Sequence, residues 1–111
     1  MKAITEGHTG YTPVPGLPEL REAICTKFRR DNGLEFDIGN IVVSNGAKQS
    51  LSNLCQALLD EGDEVILPAP YWVAYTEMVK QAGGVPVVVK TGIESDFKIT
   101  PGQLESASLA Q

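Results

Sequence analysis

The chain has 111 residues, 42% of them hydrophobic and 21% charged, which suits one globular core rather than two. A net charge of −5 and nine scattered Lys and Arg residues exclude a nucleic-acid surface, which needs clustered cations. No apolar run approaches the ~20 residues that span a bilayer, and the start "MKAITEGHTGY" has no apolar signal core, so the expected compartment is the cytoplasm.

From Pro18 to Arg30, Leu20, Ala23, Ile24 and Phe28 fall at helical spacing, with Pro18 in the first turn and Gly33 soon after the end. The β-branched run Ile41, Val42, Val43 reads as a short buried strand. Leu51, Leu54, Cys55, Leu58 and Leu59 then make an i, i+3, i+4, i+7, i+8 stripe on a second helix that Gly62 ends. A strand "EVILP" follows. A third helix is expected from Tyr71 to Ala82, with Trp72, Tyr75, Val79 and Ala82 on one face; Gly83 and Gly84 stop it, and "VPVVVK" forms the next strand. Thr100 and Pro101 mark the N-cap and first residue of a further helix.

The order α-β-α-β-α-β with uniformly apolar strands predicts an α/β fold with parallel strands and covering helices. Ligands in such sheets gather at the carboxyl ends of strands, which puts the loops after Val43 and Leu67 at the functional edge. His8 is the only histidine, so a His-based triad or metal cluster is not expected; Cys25 and Cys55, on apolar helix faces, read as buried thiols in a reducing compartment.

In the first loop, Ser44-Asn45-Gly46 opens the second helix, and Lys48 follows two residues later. The free N–H groups and positive dipole end of a helix suit a phosphate, and small residues let it approach the backbone. A plain capped turn explains Ser44 and Asn45 equally well. A nucleotide P-loop is excluded because position 41 is Ile and Lys does not follow Gly46 directly. In the second loop, Trp72 is either a core residue or a face on which a planar heteroaromatic ligand stacks.

The segments "YTPVPGLPELREAI", "VVSNGAKQSL", "LDEGDEVILPAPYWVAYTEMVKQAGG" and "FKITPGQLE" resemble the pyridoxal-phosphate (PLP) aminotransferases of fold type I, class I/II, most of all the bacterial aspartate aminotransferase subgroup. The resemblance runs to about Ser106 and rests on two motifs, Tyr-x-Pro-x-x-Gly-x-x-x-Leu-Arg from Tyr11 and Gly-Asp-Glu-Val-x-x-x-x-Pro-Tyr-Trp from Gly62. It implies that Gly46, Ala47 and Lys48 bind the cofactor phosphate and that Trp72 stacks on the pyridine ring and borders the substrate. It also implies that Tyr11 reaches the phosphate of a second subunit in a homodimer. Lys48 is further implied beside the side-chain carboxylate of an acidic substrate. Residues 1–111 are then expected to be a fragment of the large, PLP-binding domain. The N-terminal arm would precede Met1, and the cofactor-bonding lysine, with its aspartate, asparagine, tyrosine and arginine partners, would lie beyond the chain. No catalytic residue is expected within it, and the isolated fragment is expected to be inactive.

The parent activity implied is amino-group transfer between an amino acid, aspartate foremost, and 2-oxoglutarate or another 2-oxo acid. Two readings compete. One is the effector-sensing PLP fold of a transcription regulator. The other is a generic α/β phosphate-binding module, which predicts a buried Trp72.

Overall fold

The computed structural model describes residues 1–108, and these fall into two compact units, Met1–Gly46 and Ala47 onward. In the first, α1 (Lys2–Thr5) is a single turn and α2 spans Pro18–Asn32. Pro18 starts α2 where its missing N–H costs nothing, Glu19 faces the positive dipole end, and Arg29 and Arg30 face the negative one. Gly33, at φ +65, supplies the left-handed residue that ends it, and the N–H of the next residue, Leu34, donates to Phe28 O at 3.2 Å. Phe36 then packs edge-on against Phe28, with ring centroids 5.6 Å apart.

A 3-10 turn at Ile38–Asn40 is closed by a reciprocal pair, Asn40 N–H to Asp37 O at 2.9 Å and Asp37 N–H to Asn40 Oδ1 at 3.0 Å. The strand expected at Ile41–Val43 is extended chain without a ladder. Its backbone groups are taken elsewhere: Val43 N–H donates to Pro15 O at 2.9 Å, and Ile41 O accepts from the Arg21 side chain at 2.8 Å. The apolar run reports an extended segment buried at Ile41 alone, 8% exposed against 64% for Val42, and not a sheet partner.

The second unit is a β-α-β layer with helices beside it. It comprises α3 (Ala47–Leu58), β1 (Glu64–Ala69), α4 (Ala74–Gln81), β2 (Val85–Lys90) and α5 (Pro101–Ser108). β1 and β2 pair in parallel from Glu64 opposite Val85 to Ala69 opposite Lys90. Val79 on α4 is the most deeply buried hydrophobic residue among those described, at 2% exposure, and its burial contributes roughly 1.5–3 kcal/mol. α4 ends through Gly83 at φ +85, and Gly84 N–H returns to Val79 O at 2.9 Å. α5 has the expected cap: Thr100 Oγ1 accepts from Gln103 N–H, and Gln103 Oε1 accepts from Thr100 N–H.

The leucine stripe of α3 is amphipathic as expected but poorly covered, with Leu51, Leu54 and Leu58 all exposed. Together with Cys55, Val65 and Met78, Leu51 and Leu54 border an apolar groove of about 380 Å³. Cys25 and Cys55 are free thiols, half-buried rather than enclosed. No helix among the described residues is long and apolar enough to cross a membrane.

Candidate functional site

The candidate residues lie at two chain reversals, one closing the first unit at Gly46 and one following β1 in the second. β1 delivers the chain to Ala69, and Pro70 restricts that residue to an extended conformation. Tyr71 and Trp72 follow outside any regular element and lead into a turn. Tyr75 N–H donates to Trp72 O at 3.0 Å, Thr76 Oγ1 donates to Val73 O at 3.0 Å, and α4 begins only at Ala74. The helix expected from Tyr71 is shorter by three residues at its start. Trp72 consequently leaves the packed helix face on which periodicity places it and stands 59% exposed, against the buried Trp72 that a generic module requires.

α3 starts at Ala47, directly bonded to Gly46, the last residue of the first unit. Gly46 has φ +90 and its N–H donates to Ser44 O at 2.8 Å, a turn geometry that a side chain would strain. The first turn of α3 carries no acidic residue, and Lys48 is its cation. Lys48 Nζ lies 5.0 Å from the centroid of the Trp72 ring, inside cation–π range. Lys48 and Trp72, expected as neighbours in function, are thus neighbours in space within one unit. Tyr11 belongs to the first unit and its side chain is fully exposed.

Within the second unit the donor set fits a phosphorylated aromatic group: a first turn free of carboxylates, one ammonium and one open indole face. Sequence spacing alone gives Arg21 no role beyond its place in the Tyr11 motif. In the structure its guanidinium is bound to main-chain carbonyls of the segment that leads to Gly46.

The family model for aminotransferase class I and II matches residues 2–110. The chain is 57% identical over 107 residues to an aspartate aminotransferase of Geobacillus stearothermophilus, and 55% identical over 106 residues to an aspartate/prephenate aminotransferase of Cereibacter sphaeroides. Each match covers 96% of this chain, but only 27% and 26% of those relatives, so the chain spans about a quarter of their length. The crystal structure of the aspartate aminotransferase from Rhizobium meliloti superposes with a TM-score of 0.89 at 46% identity, over 96% of this chain and 26% of that one. Thermus thermophilus aspartate aminotransferase solved with maleate gives 0.88 at 51% identity, over 96% and 28%. With its α/β architecture, its two motifs and a family match across nearly every residue, the chain belongs to the class I and II aminotransferases.

Proposed function

We propose that this chain is part of the large domain of a PLP-dependent aminotransferase, one that moves the amino group between aspartate and 2-oxoglutarate, and that it carries part of the cofactor and substrate site. The observation that carries this reading is the Lys48 ammonium 5.0 Å from the exposed Trp72 ring, at the start of a helix that follows Gly46. The names of the relatives favour aspartate as amino donor, and favour an enzyme over an effector-sensing regulator.

PLP, when bound, supplies the electron sink for bond breaking at the amino acid's α carbon. The residues of this chain hold and orient. Backbone N–H groups at Ala47 and Lys48 would donate to the phosphate, Gly46, whose own N–H is bonded to Ser44 O, would let the anion approach the main chain, and the α3 dipole would add to the attraction. Trp72 would offer its face to the pyridine ring and keep water from that side. Lys48 would pair with the distal carboxylate of a dicarboxylic substrate; the maleate with which the Thermus thermophilus relative was solved is such a dianion. Full exposure of Tyr11 supports its donating across a dimer interface to a second subunit's phosphate. The compartment proposed is the cytoplasm.

Trp72 is the only tryptophan and therefore a clean reporter. Titration of its fluorescence with PLP and with pyridoxal should show stronger quenching by PLP. Equal quenching by both would remove the phosphate from the reading.

A further inference from the structure

The approach to the Gly46 turn is held from outside the turn, by residues of the Tyr11 motif in the same unit. Arg21, in the first turn of α2, donates from Nε to Ile41 O at 2.8 Å and from Nη2 to Ile38 O. One rigid planar group therefore bridges two carbonyls three residues apart, a geometry that a single ammonium on a flexible stem does not reproduce. Pro15 and Gly16 grip the next residues. Pro15 O accepts from Val43 N–H at 2.9 Å, and Gly16 is buried so close to Val43 that a Cβ on it would lie 2.7 Å from both Val43 Cβ and Cγ2.

The main chain is thus fixed at residues 38, 41 and 43, and the Gly46 N–H bond to Ser44 O constrains it further on. Between Val43 and Gly46 there are only two residues to absorb an error in direction. An anion-binding turn works through the convergence of its N–H vectors, and that convergence follows from the path of the chain entering it.

We infer that Arg21 and Gly16 form a clamp that aims the Gly46 turn, so that Arg21 is a positioning residue for the phosphate site without touching the phosphate. This rests on the phosphate reading of that turn. The Leu-Arg that closes the Tyr11 motif then has a physical role, tying the segment that carries Tyr11 to the segment that carries Gly46, both within the first unit.

The test is calorimetric titration of the chain with pyridoxine 5′-phosphate and with pyridoxine, neither of which has an aldehyde to react with lysines. The wild-type chain should prefer the phosphorylated ligand. Arg21→Met should cut that preference about tenfold, the scale of one charge-assisted hydrogen bond, while pyridoxine affinity stays unchanged. Arg21→Lys, which keeps the charge but not the bridge, should lose most of the preference too; it carries the test if circular dichroism shows Arg21→Met unfolded. A wild-type preference retained in the variants would overturn the clamp and leave the phosphate reading intact. An equal fall in affinity for both ligands would also overturn it, because that is the mark of general loosening. Absence of any preference in the wild-type chain would overturn the phosphate reading and the clamp with it.

Discussion

Lys48 holds its ammonium 5.0 Å from the ring centroid of Trp72, and the two side chains come from different elements, the first turn of α3 and the turn that leads into α4. A cation at a helix N-terminus is mildly unfavourable, and the indole face offsets part of that cost.

Lys48→Met should therefore change the surroundings of Trp72 more than the stability of the fold. At an exposed site the cation–π contact contributes about 0.5–1 kcal/mol, so the urea midpoint should move little. Iodide, drawn by the ammonium, should quench Trp72 fluorescence less well in the variant, whereas neutral acrylamide should quench at least as well as before. Equal iodide quenching in both proteins would show that the ammonium does not sit at the ring in solution.

Gly16→Ala should destabilise the first unit by about 2 kcal/mol, because two penalties coincide. Gly16 has φ +104, outside the left-handed well that Asn or Asp tolerates, and its missing Cβ leaves the space that Val43 fills. Side-chain rotation moves Val43 Cγ2 but not its Cβ, and the Val43 N–H bond to Pro15 O holds the main chain that carries it. Urea denaturation followed by far-ultraviolet circular dichroism measures the loss. An unchanged midpoint would mean that the close approach of Gly16 and Val43 relaxes at no cost.

Sequence patterning locates β2 to the residue and the start of α5 at Thr100-Pro101, because turn glycines and a capping box act locally. It misplaces the features that depend on who pairs with whom. Ile41–Val43 has the composition of a strand, but its hydrogen bonds go to Arg21 and Pro15, far back in the chain, which no local pattern reports. Trp72 and Tyr75 are three apart, a spacing shared by a helix and by the i, i+3 turn that forms. The α3 stripe is legible as an apolar face; periodicity says that such a face seeks cover and not what covers it. Of the proposed site, Lys48 and Trp72 stand out in the sequence, and their proximity does not; Arg21 does not stand out, since its partners are main-chain carbonyls far along the chain.

The Arg30–Asp31 pair sets the acid behaviour of the end of α2. The hydrogen bond from Arg30 Nε, 2.6 Å from Asp31 Oδ1, holds the Asp31 carboxyl below the usual aspartate range, with Lys27 adding to the effect. A carboxyl lowered in the folded state stabilises above its unfolded value and loses that contribution as pH falls through the folded one. Here the partners are adjacent in sequence and solvent-exposed, so the pairing is screened and partly survives unfolding. Asp31→Asn should leave the urea midpoint at pH 7 unchanged. Carboxyl NMR titration should find Asp31 below the usual aspartate midpoint, rising toward it in high salt or in Arg30→Gln. A normal midpoint at low salt would show that the pair does not persist.

Two glycines of the second unit separate packing from propensity. Gly84 is buried, and a Cβ there would lie 3.0 Å from Leu59 Cδ1 and Val79 Cγ1 and 3.1 Å from Asp63 O. The leucine tip can rotate away. The Asp63 oxygen cannot, since Val85 N–H donates to it at 2.7 Å where β2 begins, and Val79 is the most buried hydrophobic side chain of the unit. Gly84→Ala should therefore cost about 1–3 kcal/mol through overpacking. Gly102, in the first turn of α5, has nothing within 4 Å of a Cβ position and no positive φ, so Gly102→Ala should stabilise by about 0.4–1 kcal/mol through the unfolded chain alone. Paired urea melts read both signs at once. A loss at both sites would mean that α5 does not hold its helical conformation around Gly102 in solution, while a gain at both would mean that β2 and α4 separate enough to admit the Gly84 methyl.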